Sequence, residues 1–281
     1  MNETVTTYEP DNSLKKGYFS IFMEILNELK KNRWLTYQLF KRDFLSVYKQ
    51  SFIGIFWALI IPLVSVGTFI ILNRSGIFNI GDINVPYPIY AILGMAFWQL
   101  FSTGLIASAN SLVAAGTMIT KINFSKKSLV IASLGRSIVS FLIQFILVIL
   151  LFVCYGIAPS AAILMIPIII IPILLLTLGL GFIVSLVNGV VRDIGNILGL
   201  VLTFLMFLTP VLYAKPRIGV LVSASKYNPL YYLVSAPRDL VLTGNSSELG
   251  GFFVMGIISI IIFMVCLIIF HLTEIRVAER I

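Results

Sequence analysis

Residues 137–191 read SIVSFLIQFILVILLFVCYGIAPSAAILMIPIIIIPILLLTLGLGFIVSLVNGVV, 55 residues between Arg136 and Arg192 without one charged side chain. A soluble helix keeps a polar face for water and has no use for such a run. As one helix it would be roughly 80 Å long at about 1.5 Å per residue, against about 30 Å of bilayer hydrocarbon. The run therefore folds back, and Gly156, Pro159 and Ser160 mark the reversal. Two membrane spans joined by a tight turn follow, and the fold class is an all-α polytopic membrane protein.

The rest of the chain agrees. Apolar residues make up 59% of the 281 residues and charged residues 11%, with a mean hydropathy of +1.02; ordinary soluble domains carry about a quarter charged residues. Six spans emerge: Phe52–Leu72, Pro88–Ala109, Ser133–Tyr155, Ala161–Val187 with kinks expected at Pro167 and Pro172, Ile194–Tyr213, and Gly250–Phe270. With the N-terminus inside, the inner side holds 15 of the 20 basic residues and the outer side five, Arg74, Lys215, Arg217, Lys226 and Arg238. By the positive-inside rule both termini are cytoplasmic. The net charge of +8 does not point to nucleic acid, because the basic residues flank apolar runs instead of forming one patch.

Before the first span lie two amphipathic segments. Residues 21–29 put Ile21, Phe22, Ile25, Leu26 and Leu29 on one helical face; residues 34–48 interleave aromatic residues with Lys41, Arg42 and Asp43. Helices of this kind lie in the headgroup plane. Residues 1–30 are set apart as a polar N-terminal extension ending in the first of these helices, with residues 1–14 expected to be flexible. The first 20 residues hold no apolar core of a signal peptide, so the first span is expected to direct insertion.

Several chemistries lack their residues. Ion-coupled carriers use intramembrane carboxylates or histidines, yet only the third span carries a charge, Arg136, and the one histidine, His271, sits at the end of the last span. No GxxxxGK[ST] loop occurs, so this chain is expected to bind no cofactor, and any ATP and Mg would sit on a partner subunit. The few acids form no evident pair with one another or with the histidine, which argues against glycosyl transfer on a metal. No metal spacing is seen; Cys154 and Cys266 read as buried, inert thiols. No catalytic residue is assigned.

What remains is aromatic and uncharged. Tyr48, Phe52, Phe56 and Trp57 surround the first span, and Tyr87 and Trp98 mark the second. Many such residues serve as an interfacial belt. The alternative is a path on which sugar rings stack while their hydroxyls bond to Ser, Thr, Asn and Gln; the four-residue spacing of Tyr48, Phe52 and Phe56 predicts one shared helix face. The inner segment Thr117–Ser128, with Lys121, Phe124, Lys126 and Lys127, either satisfies the positive-inside rule or docks a cytoplasmic motor. The outer segment after Tyr213 predicts a short, half-buried or re-entrant helix at the outer leaflet before the last span, starting after Pro229 and ending at Gly244.

The stretch Asn228-Pro-Leu-Tyr-Tyr-Leu, with Arg238-Asp-Leu and Thr243-Gly244, resembles the signature of ABC-2-type permeases. Tyr48-Lys-Gln-Ser-Phe-Ile-Gly54 with Trp57 and Pro62, Val85-Pro-Tyr-Pro-Ile with Gly94 and Trp98, and Thr209-Pro-Val-Leu-Tyr213 are similar to members that export polysaccharides. The resemblance covers about residues 30–275, so residues 31–281 are taken as one transmembrane domain. It implies the membrane half of an ATP-binding-cassette exporter in the bacterial inner (plasma) membrane. That assembly would be a homodimer with two cytoplasmic ATPase subunits, moving a polysaccharide on a polyprenyl diphosphate lipid, O-antigen in the first instance. Teichoic acid, capsule polymers or a small molecule are the alternatives within the family, and a membrane enzyme of glycolipid assembly the alternative outside it. The resemblance further implies that Lys121, Phe124, Lys126 and Lys127 couple to the ATPase. Tyr213, Asn228, Pro229, Tyr231, Tyr232 and Arg238 would build outer gate helices. Recruiting the lipid diphosphate requires cations at the inner surface, and Lys41, Arg42 and Lys49 are placed for it.

Overall fold

The computed structural model of the chain describes residues 18–49, 53–77, 81, 83–121, 124–191, 193–215 and 220–278. Among them there is no strand. The helices are α1 (Tyr18–Lys31), α2 (Arg33–Lys49), α3 (Trp57–Arg74), α4 (Tyr87–Ala114), α5 (Gly116–Lys121), α6 (Lys126–Tyr155), α7 (Ile166–Ile169), α8 (Ile171–Val190), α9 (Ile194–Leu208), α10 (Val220–Tyr227), α11 (Pro229–Thr243) and α12 (Leu249–Ala278), with 3₁₀ turns at Gly54–Phe56 and Ala161–Met165.

Among the described residues, five segments are long and apolar enough to cross a bilayer: Trp57–Arg74, Tyr87–Ala114, Lys126–Tyr155, Ala161–Val190 and Leu249–Glu274. The reversal falls at Gly156, which caps α6 in the left-handed conformation at φ 65°. Pro167 and Pro172 break the next segment into a 3₁₀ turn, α7 and α8, with each proline in the first turn of its helix, where no amide hydrogen is missed. The fifth expected span is shorter than expected. α9 has 15 residues and stops at Leu208, because Pro210 cannot donate to the ladder and pushes Thr209 to extended backbone.

α4 is the central helix, packed along α6 and α8, with α12 on the far side of α8. The starts of α6 and the end of α12 share one end of the bundle with α1 and α2; we call it the base. The opposite, distal end holds α11 and the start of α12. α1 is amphipathic, as expected. Its apolar face is turned into the protein, with Ile21 and Ile25 buried among Leu112, Leu129, Leu267 and Phe270. α2 lies against α6, and Gly135 makes this possible: the Phe40 ring covers it so closely that a Cβ there would sit 2.2 Å from the ring. The outer side of α2 leaves Trp34 and Tyr37 exposed. Cys154, expected to be buried, lies on the apolar outer surface of α6 beside the exposed Val153.

Candidate transport groove and its two ends

At the base, four ionisable side chains from three helices meet. Lys127, in the first turn of α6, is fully buried; its Nζ donates to Glu28 Oε2 on α1 at 2.8 Å and to Glu274 Oε1 on α12. His271 Nδ1 is 3.6 Å from Glu274 and 3.9 Å from Glu28. Burial works against the Glu28 charge, but Lys127, with Ser125 and His271, outweighs it and holds the carboxyl below its ordinary value of 4.5. The expected absence of an acid paired with the histidine or with a second acid does not hold: Glu274 lies one helical turn from His271, and the fold brings Lys127 to Glu28 and Glu274 across 99 and 147 residues of chain. Glu28, His271 and Glu274 place their ligand atoms within 4.8 Å of one another. The Lys127 ammonium, however, sits on both carboxylates, so a divalent cation would have to displace it.

At the distal end, the break at Pro210 leaves the buried backbone from Pro210 to Tyr213 without helical partners, a costly state unless other donors reach it. Three side chains do. Arg238 Nη1 donates to the Pro210 and Val211 carbonyls at 2.6 and 3.3 Å. Tyr87 Oη donates to the Leu212 carbonyl at 2.9 Å and Tyr90 Oη to that of Tyr213 at 3.0 Å. Arg238 is itself fully buried, with its guanidinium 3.8 Å from the centre of the Tyr90 ring. Asp239 lies 3.7 Å from its Nε and pairs with Lys215 at 2.5 Å. Gly94 admits the Val211 carbonyl, which a Cβ would meet at 2.4 Å. Asn228 caps α11 by accepting from the Leu230 amide at 3.0 Å, and its Nδ2 donates to Thr209 at 2.9 Å. Tyr231 Oη donates to Glu248 at 3.1 Å, and Tyr232 Oη to the Lys226 carbonyl at 3.2 Å.

Between these ends, α4 is covered on all sides but one. Its open stripe runs through Gln99, Thr103, Ile106 and Asn110, about one turn apart. Two clefts of 240 and 370 Å³ lie along it and share Thr103 and Arg136, so they form one groove. The first is bounded by Trp57, Ala58 and Ile61 of α3 and Ser140 of α6; the second reaches Arg42 and Asp43 of α2 at the base. Its wall is thus largely uncharged, with amide and hydroxyl groups between apolar faces, a surface suited to a neutral, hydroxyl-bearing cargo.

The ABC-2 type transporter family matches residues 35–242. The chain belongs to that family. It is 28% identical over 195 residues to the O-antigen export system permease protein RfbA of Myxococcus xanthus, covering 68% of this chain and 72% of that protein. Two proteins of the same name from Klebsiella pneumoniae are 27% and 28% identical over 237 residues, covering 83% of this chain and 89% of theirs. As an ABC-2 permease its role is transport, not catalysis.

Within this ABC-2 permease the expected site residues divide. Tyr213, Asn228 and Arg238 meet in the distal network, which Tyr90, one of the aromatics of the second span, completes; Pro229 starts α11 beside Asn228, and Tyr231 and Tyr232 bond to Glu248 and the Lys226 carbonyl at the same end. Tyr87 belongs there too. Trp57 stands at the groove side of α3; Phe56, in the 3₁₀ turn before it, is 62% exposed but lines neither cleft, whereas Trp98 is 4% exposed, turned into the core against Phe101. Tyr48 and Phe56 do not share a helix face: α2 ends at Lys49, and Gly54 takes a positive φ of 56° before α3 begins. Lys41 is exposed at the base, but Arg42 is paired with Asp43 at 2.8 Å. Among the coupling residues, Lys127 points inward, while Lys126 and Phe124 are half-buried. Phe52 and the side chains of Tyr48, Lys49 and Lys121 lie outside the described residues.

Proposed function

We propose that the chain is the membrane subunit of an ATP-driven exporter that carries a polyprenyl-diphosphate-linked polysaccharide of the O-antigen type across the bacterial inner membrane. It works as a homodimer with two cytoplasmic ATPase subunits, which bind ATP and Mg. The observation that carries this reading is the match to three O-antigen export permeases over as much as 83% of the chain. The groove adds support, since hydroxyl and amide side chains beside Trp57 suit sugar rings better than ions or protons. The base faces the cytoplasm by the excess of basic residues. The 117–128 segment, whose helix α5 precedes Lys126, receives the ATPase there.

The reading is tested by co-expressing the chain with a nucleotide-binding subunit encoded beside it and reconstituting both in proteoliposomes. ATP-dependent movement of a lipid-linked glycan, with the ATPase co-eluting, is the expected result. A chain that moves or modifies glycolipid with no nucleotide-binding partner overturns it.

A further inference from the structure

Arg136 is the residue of the groove that nothing above uses. It lies ten residues into α6, about 15 Å along the helix axis from Lys126. A charged side chain at such a place is expensive unless it lines a cavity or finds a counter-ion. Arg136 lines both clefts. It is exposed to them, and among the described residues it makes no hydrogen bond and no ion pair. The other arginine of the groove, Arg42 at its mouth, is already neutralised by Asp43. The remaining wall offers the uncharged side chains of Gln99, Thr103, Ser140 and Asn110, which bring no negative charge. The protein therefore leaves one uncompensated guanidinium facing a polar groove within a membrane-spanning helix.

We infer that Arg136 anchors the diphosphate of the carrier lipid inside the groove. A guanidinium presents a planar fork that matches phosphoryl oxygens two at a time, and such charge-assisted bonds are the strong ones. Thr103 faces it from the opposing α4 stripe, but its hydroxyl proton is donated to the Gln99 carbonyl; Ser140, one turn further along α6, only accepts from Gln144 and keeps its own proton for the same anion. The contact of Phe40 with Gly135 holds α2 against α6 one residue away, which sets the mouth of the groove beside Arg136. The inference rests on the export reading only for the class of lipid.

Native mass spectrometry of the full chain in detergent, titrated with undecaprenyl diphosphate, undecaprenol or phosphatidylglycerol, tests it. The diphosphate lipid binds about tenfold more tightly than the alcohol, the loss expected for one strong charge-assisted contact. R136Q removes that preference, and R74Q, a charge change at the far end of α3, keeps it. S140D, which leaves Arg136 in place and sets a carboxylate one turn away, removes it as well and decides the matter if R136Q does not fold. Preference retained in a folded R136Q or S140D overturns the inference, and so does phosphatidylglycerol competing on equal terms. The probe has no sugar and the assay no ATPase. Normal glycan export by R136Q would thus sink only this inference, and Arg136-dependent binding without ATP-driven export would sink only the export reading.

Discussion

Lys127 is held by two carboxylates in a buried place, and taking it away removes the charge that chiefly compensates both. Removing one partner of such a group costs about 3 kcal/mol or more. K127M should therefore lower the unfolding temperature of the purified chain markedly, while K126Q, at a half-buried neighbour, changes it little; equal effects would contradict the pairing. The same cluster sets a pH dependence. Because the Glu28 carboxyl titrates below 4.5 in the folded chain, its contribution is full above that ordinary value and is lost as pH falls through the lower, folded one. Acid should release α1 first, seen as faster proteolysis at the 31–33 junction, and E28Q should show that cleavage already at neutral pH. At the distal end, R238K keeps a cation but not the planar group that lies on Tyr90 and reaches two carbonyls. A loss of about 2 kcal/mol is expected from the buried acceptors left unpaired, read from the unfolding midpoint.

At the scale of elements, the contact of α2 with α6 turns on one missing Cβ. G135A should push Phe40 out and loosen α2, costing about 1–3 kcal/mol as overpacking does. The double variant G135A/F40A should recover part of that stability, whereas additive losses would show that the two residues do not meet. Features of this local kind were legible in advance. The reversal at Gly156, the breaks at Pro167 and Pro172, and the limits of α11 at Pro229 and Gly244 each follow from the backbone preference of one residue. What escaped was long-range. No spacing rule joins Glu28 to Lys127 and Glu274, and the amphipathic face of α1 gave no sign of whether lipid or Leu267 and Phe270 would cover it. The aromatic spacing from Tyr48 to Phe56 misled because it assumed one continuous helix, and the positive φ of Gly54 ends that continuity.

For the whole molecule, the central fact is that α4 buries every face except the stripe through Gln99, Thr103 and Asn110. This stripe was not legible in the sequence, since a few small polar residues in an apolar helix serve packing as often as passage. Only the positions of α3, α6 and α8 around α4 decide which of them stay open. If the groove is the route of the cargo, bulk at its middle must stop transport without touching either end. Thr103 is the place to test this, because it belongs to both clefts and is exposed. T103W should lower glycan export in proteoliposomes at least about tenfold, as loss of a near-fitting path does when a side chain fills it. Binding of the ATPase subunit and basal ATP hydrolysis should persist, because the Lys127 cluster and α5 lie at the base, away from the substituted position. T103S, which restores the hydroxyl and removes only a methyl, should export normally. Undiminished export by a folded T103W would place the route on another face of the permease.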